Sequence, residues 1–517
     1  MSDGARRFPA LYRVSPQLYL ALRSIWLRCR LIGMHWFERI SAVASKQRSI
    51  MRKSFSVLRN CTEAISWFWA AFTLRKRRNR GTDNNHIVML VVSDLRIDPR
   101  VEREARALAA AGFSITVLCP DISRPPLREV PIDWGSSIAF HLLSWEAASF
   151  IHHFPWVGGQ QMFHAASKYR PMAFHCHDLT TSLMGLAAAR HSGAACICDF
   201  HEWYSENVSW DAKTLTYIPH PFMKKAIYRL VERLVMRSAT EVITVCESIS
   251  RELSHQFSSG RRTVQVIRNI PPIRGVPIAG SSSLRRDLRI PDDGFLLLWQ
   301  GGTGPTRLLE PIIEALRLVP NVTFVIRGPS LELFGDGYRS LSKQLGVENQ
   351  LVLLPPVKSA EVVEAAVGAD AGIWTLPNLS KNFYYALPNK IFEYMAAGLP
   401  VLAANFPEAR KMVEENGIGL CFDPYDPHSI AAQIRRLIYE PGIAERCRSA
   451  IPEVLKNIRA EEEWDKLVRI YRKIDARTGT DDSKRQMPER TEATRQENAS
   501  GAVIEKCIPT QASEHRL

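Results

Sequence analysis

Residues 387–403 read LPNKIFEYMAAGLPVLA. Asn389 is suited to cap a helix, and the proline before it stiffens the approach. Ile391, Phe392 and Met395 then point inward, and Ala396-Ala397 permit close approach of helix to sheet. Gly398 stops the helix, Pro400 follows, and VLAA runs into a sheet. One residue does not fit a purely structural helix. Glu393 falls in its second turn, near the positive end of the helix dipole. A carboxylate there can accept two hydroxyl hydrogen bonds, as from the vicinal diol of a ribose. The helix start with Asn389 and Lys390 can meet a phosphate. The residues alone equally allow an ordinary amphipathic helix with an exposed glutamate.

The surroundings of this stretch are α/β. HIVMLVV, from His86, is a continuous apolar run, as in a strand buried on both faces. DPRVEREARALAAAG follows, with Asp98 as cap, Pro99 in the first turn and Gly112 as the stop. FSITVLCPD is the next strand, completing a βαβ unit and predicting a parallel sheet. MAFHCHD, AACICDFHE and EVITVCES continue the domain, and PPIRGVPIAGSSS marks a linker near 271–283. A second α/β unit opens with FLLLWQ, a GGTGP turn and a helix over 306–318, then VTFVIRGP and AGIWTL. Trp464, Leu467, Val468 and Tyr471 give the stripe of a closing helix. The expected division is an extension 1–85, domains 86–272 and 273–460, a closing helix 461–475, and a polar, disordered tail 476–517.

Two such domains imply a ligand in the cleft between them, at the carboxyl ends of the strands. The chain of 517 residues carries a net charge of +14. Residues 1–80 hold 17 of the 67 basic and 3 of the 53 acidic residues, so the body is neutral, with 50 of each. A basic groove over the folded domains, and with it a nucleic-acid enzyme, is excluded. Within the extension, Leu18, Leu22, Ile25 and Trp26 can share a helix face, and a second patch with two Trp precedes RKRRNR. That composition suits a helix lying on an anionic membrane surface. A helical hairpin packed on the protein, or a flexible basic arm, fits it too. No run of 18 apolar residues is present. The ten cysteines complete no zinc pattern and read as reduced thiols of a cytosolic protein.

The run YYALPNKIFEYMAAGLPVLA resembles the C-terminal signature of the family 4 (group 1) retaining glycosyltransferases, of GT-B fold. DPRVEREARAL, HCHD, CDFHE, RNIPP and LLLWQGG occur in the order that family has, over roughly residues 86–475. The likeness is greatest to the subgroup that builds bacterial surface polysaccharides and exopolysaccharides. It implies two Rossmann-like doubly wound domains facing a central cleft, here with a basic helical extension. It further implies transfer of a sugar from a UDP- or GDP-sugar, without cofactor or metal, to a saccharide, here one on a lipid carrier at the cytoplasmic face of the inner membrane.

Carried over residue by residue, Glu393 resembles the second Glu of the family's Glu-x7-Glu pattern, the ribose ligand. The first Glu falls at Tyr385, a departure that puts the sugar contact in doubt; Tyr385 or Asn382 can supply it, or the site is degenerate. A leaving diphosphate needs cations and bare backbone N–H groups. Gly301, Gly302 and Arg307 answer to this, and Lys390 or Arg327 replaces a lysine the family has after Arg307. A plain glycine turn with a surface arginine is the bland alternative. His177, Asp178, His201 and Glu202 end apolar runs and stand as candidates on the acceptor side, though each alone reads as a loop or core residue. Two other functions share these features: a sugar-nucleotide epimerase of the same fold, and a non-catalytic GT-B scaffold.

Overall fold

A computed structural model of the chain describes residues 83–483 apart from 124, 145–158, 212–215, 259–262, 272–283, 292 and 359–360. The basic extension to residue 82 and the tail from 484 lie outside the described residues.

The first domain is a seven-stranded parallel sheet in the order β3-β2-β1-β4-β5-β8-β9. Its strands are β1 (Asp83–Leu90), β2 (Ser114–Pro120), β3 (Ile138–Leu143), β4 (Pro171–His177), β5 (Ala195–Phe200), β8 (Glu241–Thr244) and β9 (Gln265–Val266). A separate antiparallel hairpin, β6 (Val208–Asp211) with β7 (Thr216–Pro219), projects between β5 and β8 in sequence. Apolar runs become strands here because both faces of the sheet are covered. Helix α1 (Pro99–Ala110) starts as its sequence predicts: Asp98 accepts from the Val101 N–H at 3.3 Å, with a proline in the first turn. The other helices of this domain include α2 (Asp178–Ser192), α3 (Phe222–Ser238) and α4 (Glu247–Ser258).

The second domain is a six-stranded parallel sheet in the order β12-β11-β10-β13-β14-β15. It comprises β10 (Phe295–Gln300), β11 (Val322–Arg327), β12 (Leu351–Leu354), β13 (Ala371–Trp374), β14 (Val401–Ala404) and β15 (Gly419–Phe422). In both sheets the order reverses beside the first strand, between β1 and β4 and between β10 and β13. Such a switch point leaves a crevice at the strands' carboxyl ends.

The opening stretch forms α5 (Asn389–Ala396). Gly398 takes φ +74°, Leu399 N–H bonds Tyr394 O, and Gly398 N–H bonds Met395 O, each at 2.9 Å, which is a Schellman stop. Gly372 in β13 has no room for a β-carbon because the Tyr394 ring lies against it. The Tyr394 hydroxyl accepts from Gln300 N–H at 2.9 Å and lies 3.2 Å from Ile373 O. Helix α5 is thereby pinned at the switch point of its sheet. The predicted cap is corrected: Asn389 is the first helical residue, and extended Pro388 holds the cap position without a side-chain bond.

Three other boundaries differ from the sequence reading. Strand β1 begins at Asp83, inside the stretch assigned to the extension. The helix expected over 306–318 is α-helical only over Glu310–Ala315, with a 3-10 turn Leu316–Leu318. Leu308 takes a left-handed φ of +51°, which keeps 301–309 as a loop. The closing helix α6 runs over Ala460–Ser483, so the first residues of the expected tail are helical. Its stripe is as predicted, and Leu467, Val468 and Tyr471 pack into the core of the first domain.

Candidate active site

On the donor side, β10 is followed by Gly301 and Gly302 at the switch point. Gly301 takes φ +140°, a conformation L side chains rarely adopt. A β-carbon there would overlap the end of the Lys390 side chain, and one on Gly302 would lie 3.7 Å from the Arg307 guanidinium. Residues almost a hundred positions apart are therefore assembled around bare backbone. Lys390 Nζ stands 5.1 Å from the centroid of the Trp299 ring. Burial, with the positive Arg307 nearby, lowers the ammonium to about 8, against the pull of Glu393. Glu393 is half-buried, and burial raises its carboxyl, opposed by Lys390 and by Arg103 of the first domain. Among the described residues its carboxylate makes no hydrogen bond, in keeping with a group left for a ligand.

Arg327 does not join this cluster. Its guanidinium is buried and bonds Gln300 Oε1 at 3.1 Å and the carbonyl of Ala365. Of the two substitutes considered for the missing lysine, geometry favours Lys390. Asn389 is half-buried at the helix start beside it.

On the other side, His177, Asp178 and His201 converge as expected, but around a residue the sequence reading missed. Asp199, the next-to-last residue of β5, is fully buried. Arg100 of α1 grips both its oxygens at 2.8 Å, and His201 Nε2 lies 3.0 Å from Oδ2. Asp178 adds Oδ2 at 3.5 Å from His201 Nδ1, and its Oδ1 accepts the His201 N–H at 3.1 Å. Burial opposes charge on His201, but Asp178 and Asp199 outweigh it and push the imidazolium up to about 10. His201 is therefore a cation at neutral pH. His177 is buried, and desolvation with two neighbouring imidazoles holds it well below the ordinary range. It packs 4.5 Å from the His175 ring and 5.4 Å from that of His201. Neither histidine is in the state of a general base with open access. His177 is better described as a core residue beneath His201. Glu202 is exposed on the following loop and accepts from Asn207 Nδ2.

The network continues inward. Arg100 Nε lies 3.1 Å from Glu104, Glu104 lies 3.2 Å from His175 Nε2, and His175 Nδ1 pairs with the Tyr471 hydroxyl of α6 at 2.7 Å. Glu104, His175, His177 and Asp199 present ligand atoms within 4.8 Å of one another. The Arg100 guanidinium already supplies the positive charge in their midst, so the set reads as an ion-pair network. A second group, Cys176, Cys196 and Cys198, places sulfurs 3.8 and 3.9 Å apart. Burial holds Cys176 up as a thiol, and its thiol hydrogen bonds do the same for Cys196. The seven described cysteines form no disulfide among themselves, and all are buried.

The two sides meet. Trp203 N–H donates to Asn382 Oδ1 at 2.8 Å, and the Trp203 and Tyr385 rings stack at 16° with centroids 6.5 Å apart. Tyr385 donates to Glu252 at 3.3 Å, and Lys381 Nζ reaches the same carboxylate at 3.2 Å. Ser248 N–H donates to Glu408 at 2.7 Å. Asn382 and Tyr385, the two substitutes considered for the absent glutamate, are thus engaged in holding the domains together. Glu202 and Arg307 sense one another's charge across the cleft, as do Arg103 and Glu393.

Comparison with known proteins agrees with the two-domain fold. Residues 97–269 match a glycosyl transferase 4-like domain, and residues 281–454 match the glycosyl transferases group 1. A D-inositol 3-phosphate glycosyltransferase of Thermomonospora curvata is 24% identical over 327 residues, spanning 56% of this chain and 74% of that one. Sucrose-phosphate synthase from Thermosynechococcus elongatus superposes with a TM-score of 0.60 at 15% identity, over 76% of this chain and 99% of its own. Anabaena HepE, solved with UDP-glucose, gives 0.54 at 17% identity, over 77% and 99%. These structures share the GT-B fold. Two family models in tandem cover both domains and flank the linker, and the chain belongs to the group 1 glycosyltransferases.

Proposed function

We propose that this glycosyltransferase is retaining and moves a sugar from a UDP- or GDP-sugar to a saccharide acceptor in surface polysaccharide or exopolysaccharide synthesis. The acceptor is carried on a lipid at the cytoplasmic face of the inner membrane. The observation that carries the reading is the convergence of Gly301, Gly302, Arg307, Lys390 and Glu393 at one switch point. Glu393 accepts the ribose hydroxyls, while Lys390 and Arg307 neutralise the diphosphate as it leaves. Two fixed cations and backbone N–H groups supply the charge, so the reaction needs no cofactor or metal. UDP-glucose on the HepE neighbour supports a nucleotide-sugar donor.

His201, an imidazolium paired with Asp199 and Asp178, lends positive charge to developing negative charge beside it and does not abstract a proton. Asp178 and Glu202 accept from the acceptor sugar. The attacking hydroxyl loses its proton to the departing diphosphate on the same face, so no protein nucleophile is assigned. The basic extension 1–80 supports peripheral attachment to an anionic membrane. No described helix is long and apolar enough to cross a membrane. The test is incubation with membranes bearing lipid-linked saccharides and each of a panel of UDP- and GDP-sugars, with and without a chelator. The expected product keeps the donor's anomeric configuration, and chelation leaves its rate unchanged; an inverted linkage would refute the retaining assignment.

A further inference from the structure

We propose that the outward face of α3, with the adjoining β6–β7 hairpin, docks on an anionic lipid bilayer. The inner face of α3 is satisfied: Tyr228, Val231, Leu234, Val235 and Met236 are buried in the first domain. Its outer face runs through positions 222, 226, 230, 233 and 237, all exposed. At the amino end that face is apolar. Phe222 is 86% exposed, Met223 64% and Leu230 49%. Large side chains this open, clustered on one helix, mark an interaction surface.

Charge on the same helix selects the partner. Lys224, Lys225, Arg229, Arg233 and Arg237 are basic. The single acid of α3, Glu232, is buried and turned inward to accept Ser205 N–H at 2.8 Å. Lys225 and Arg229 are paired with Glu206 at 2.7 Å, whereas Arg233 and Arg237 stand exposed further along. Apolar residues beside exposed cations are the pattern of a helix resting in the headgroups of acidic lipids. A purely hydrophobic protein groove would not call for the arginines.

The hairpin extends this surface. Lys224 Nζ donates to Ser209 Oγ at 2.9 Å, tying β6 to the first turn of α3. Trp210, the next residue, is 50% exposed and meets the Tyr217 ring edge-on at 5.2 Å. The hairpin is also joined to the candidate site, since Asn207 donates its side chain to Glu202 and accepts the His220 N–H at 3.3 Å. A bilayer on α3 therefore lies next to the acceptor side of the cleft. Docking does not depend on the chemistry of the acceptor.

The test is flotation of the full-length protein with vesicles of phosphatidylcholine and phosphatidylglycerol, against pure phosphatidylcholine. Two double variants are compared with the unaltered chain, Phe222→Ser with Met223→Ser, and Arg233→Glu with Arg237→Glu. The extension is intact in all three, so a difference reports on α3. Each variant is expected to bind the acidic vesicles about tenfold more weakly, with an unchanged thermal melt. Flotation equal to that of the unaltered chain overturns the proposal. So does a change from dimer to monomer in lipid-free sedimentation without a change in flotation, which would make the face a contact between copies. Flotation is read without donor or acceptor, so failure here leaves the transfer reaction separately testable.

Discussion

The hydroxyl of Tyr385 in the second domain donates to Glu252 of the first, 3.3 Å away. This is where the resemblance to the family puts a glutamate. A carboxylate at 385 would stand against the carboxylate of Glu252, with Lys381 the nearest compensation. Tyr385→Glu is therefore expected to lower kcat/KM about tenfold by repelling the two domains, a cost of about 1.4 kcal/mol. Adding Glu252→Gln should recover most of it. A double-mutant cycle on donor turnover checks this, and a gain of activity from Tyr385→Glu alone would reject the interpretation.

Lys390 gives the reaction an alkaline limb. Burial and Arg307 bring its ammonium to about 8, and in the proposed reaction the leaving diphosphate needs it charged. With kcat/KM reporting the free enzyme, activity should fall about tenfold per pH unit above that value. Lys390→Arg keeps the charge and should carry the limb upward. Lys390→Met should cost about a hundredfold at pH 7, as for loss of one transition-state donor. A limb at the same pH in the arginine variant would assign it to another group.

Asp199 holds Arg100 at two points inside the first domain. Asp199→Asn takes from the buried guanidinium the carboxylate that grips it at two points and leaves Glu104 at its edge, a loss of about 3 kcal/mol in denaturant unfolding. The same substitution removes the anchor of His201. Unchanged stability would mean that the pair is not formed in solution.

His201 also imposes a pH dependence on folding. Its folded value is about 10, above the ordinary 6.5, so the folded state holds a proton that the unfolded chain releases. That stabilisation is complete below 6.5 and is lost as pH rises through 10. Thermal melts of the native protein should decline by a few degrees across this window. His201→Asn should flatten the decline, and a melt that stays steep in the variant would locate the titration elsewhere.

The parallel α/β pattern, strands such as β1, β2, β4, β5, β10 and β11, and the α1 cap at Asp98 were legible because each is local: an apolar run, an Asp-Pro start, a glycine stop; β3, β12, β15 and the β6–β7 hairpin went unread. Glu393 and the glycine pair were legible as motif residues. The assembly of Lys390 over Gly301 was not, since it depends on α5 crossing to another strand's end. Arg100 and Glu104 were hidden in a different way. They have the four-residue spacing of a surface ion pair on a helix, yet both are buried. Asp199 had a signal, a carboxylate inside the apolar CICDF, that named its burial without naming its partner. Tyr385 or Asn382 was read as the substitute sugar contact, with a degenerate site as the alternative, and their bonds to Glu252 and Trp203 come from a domain no local pattern describes.

Nucleotide diphosphate release tests the central claim most directly. The protein would be given lipid-linked saccharides and each of several UDP- and GDP-sugars, with Glu393→Ala run in parallel. Release with one donor, reduced about tenfold to a hundredfold in the variant, is the expected result for loss of hydrogen bonds to a charged group. Equal release by both proteins would contradict the assignment of Glu393 to the donor site.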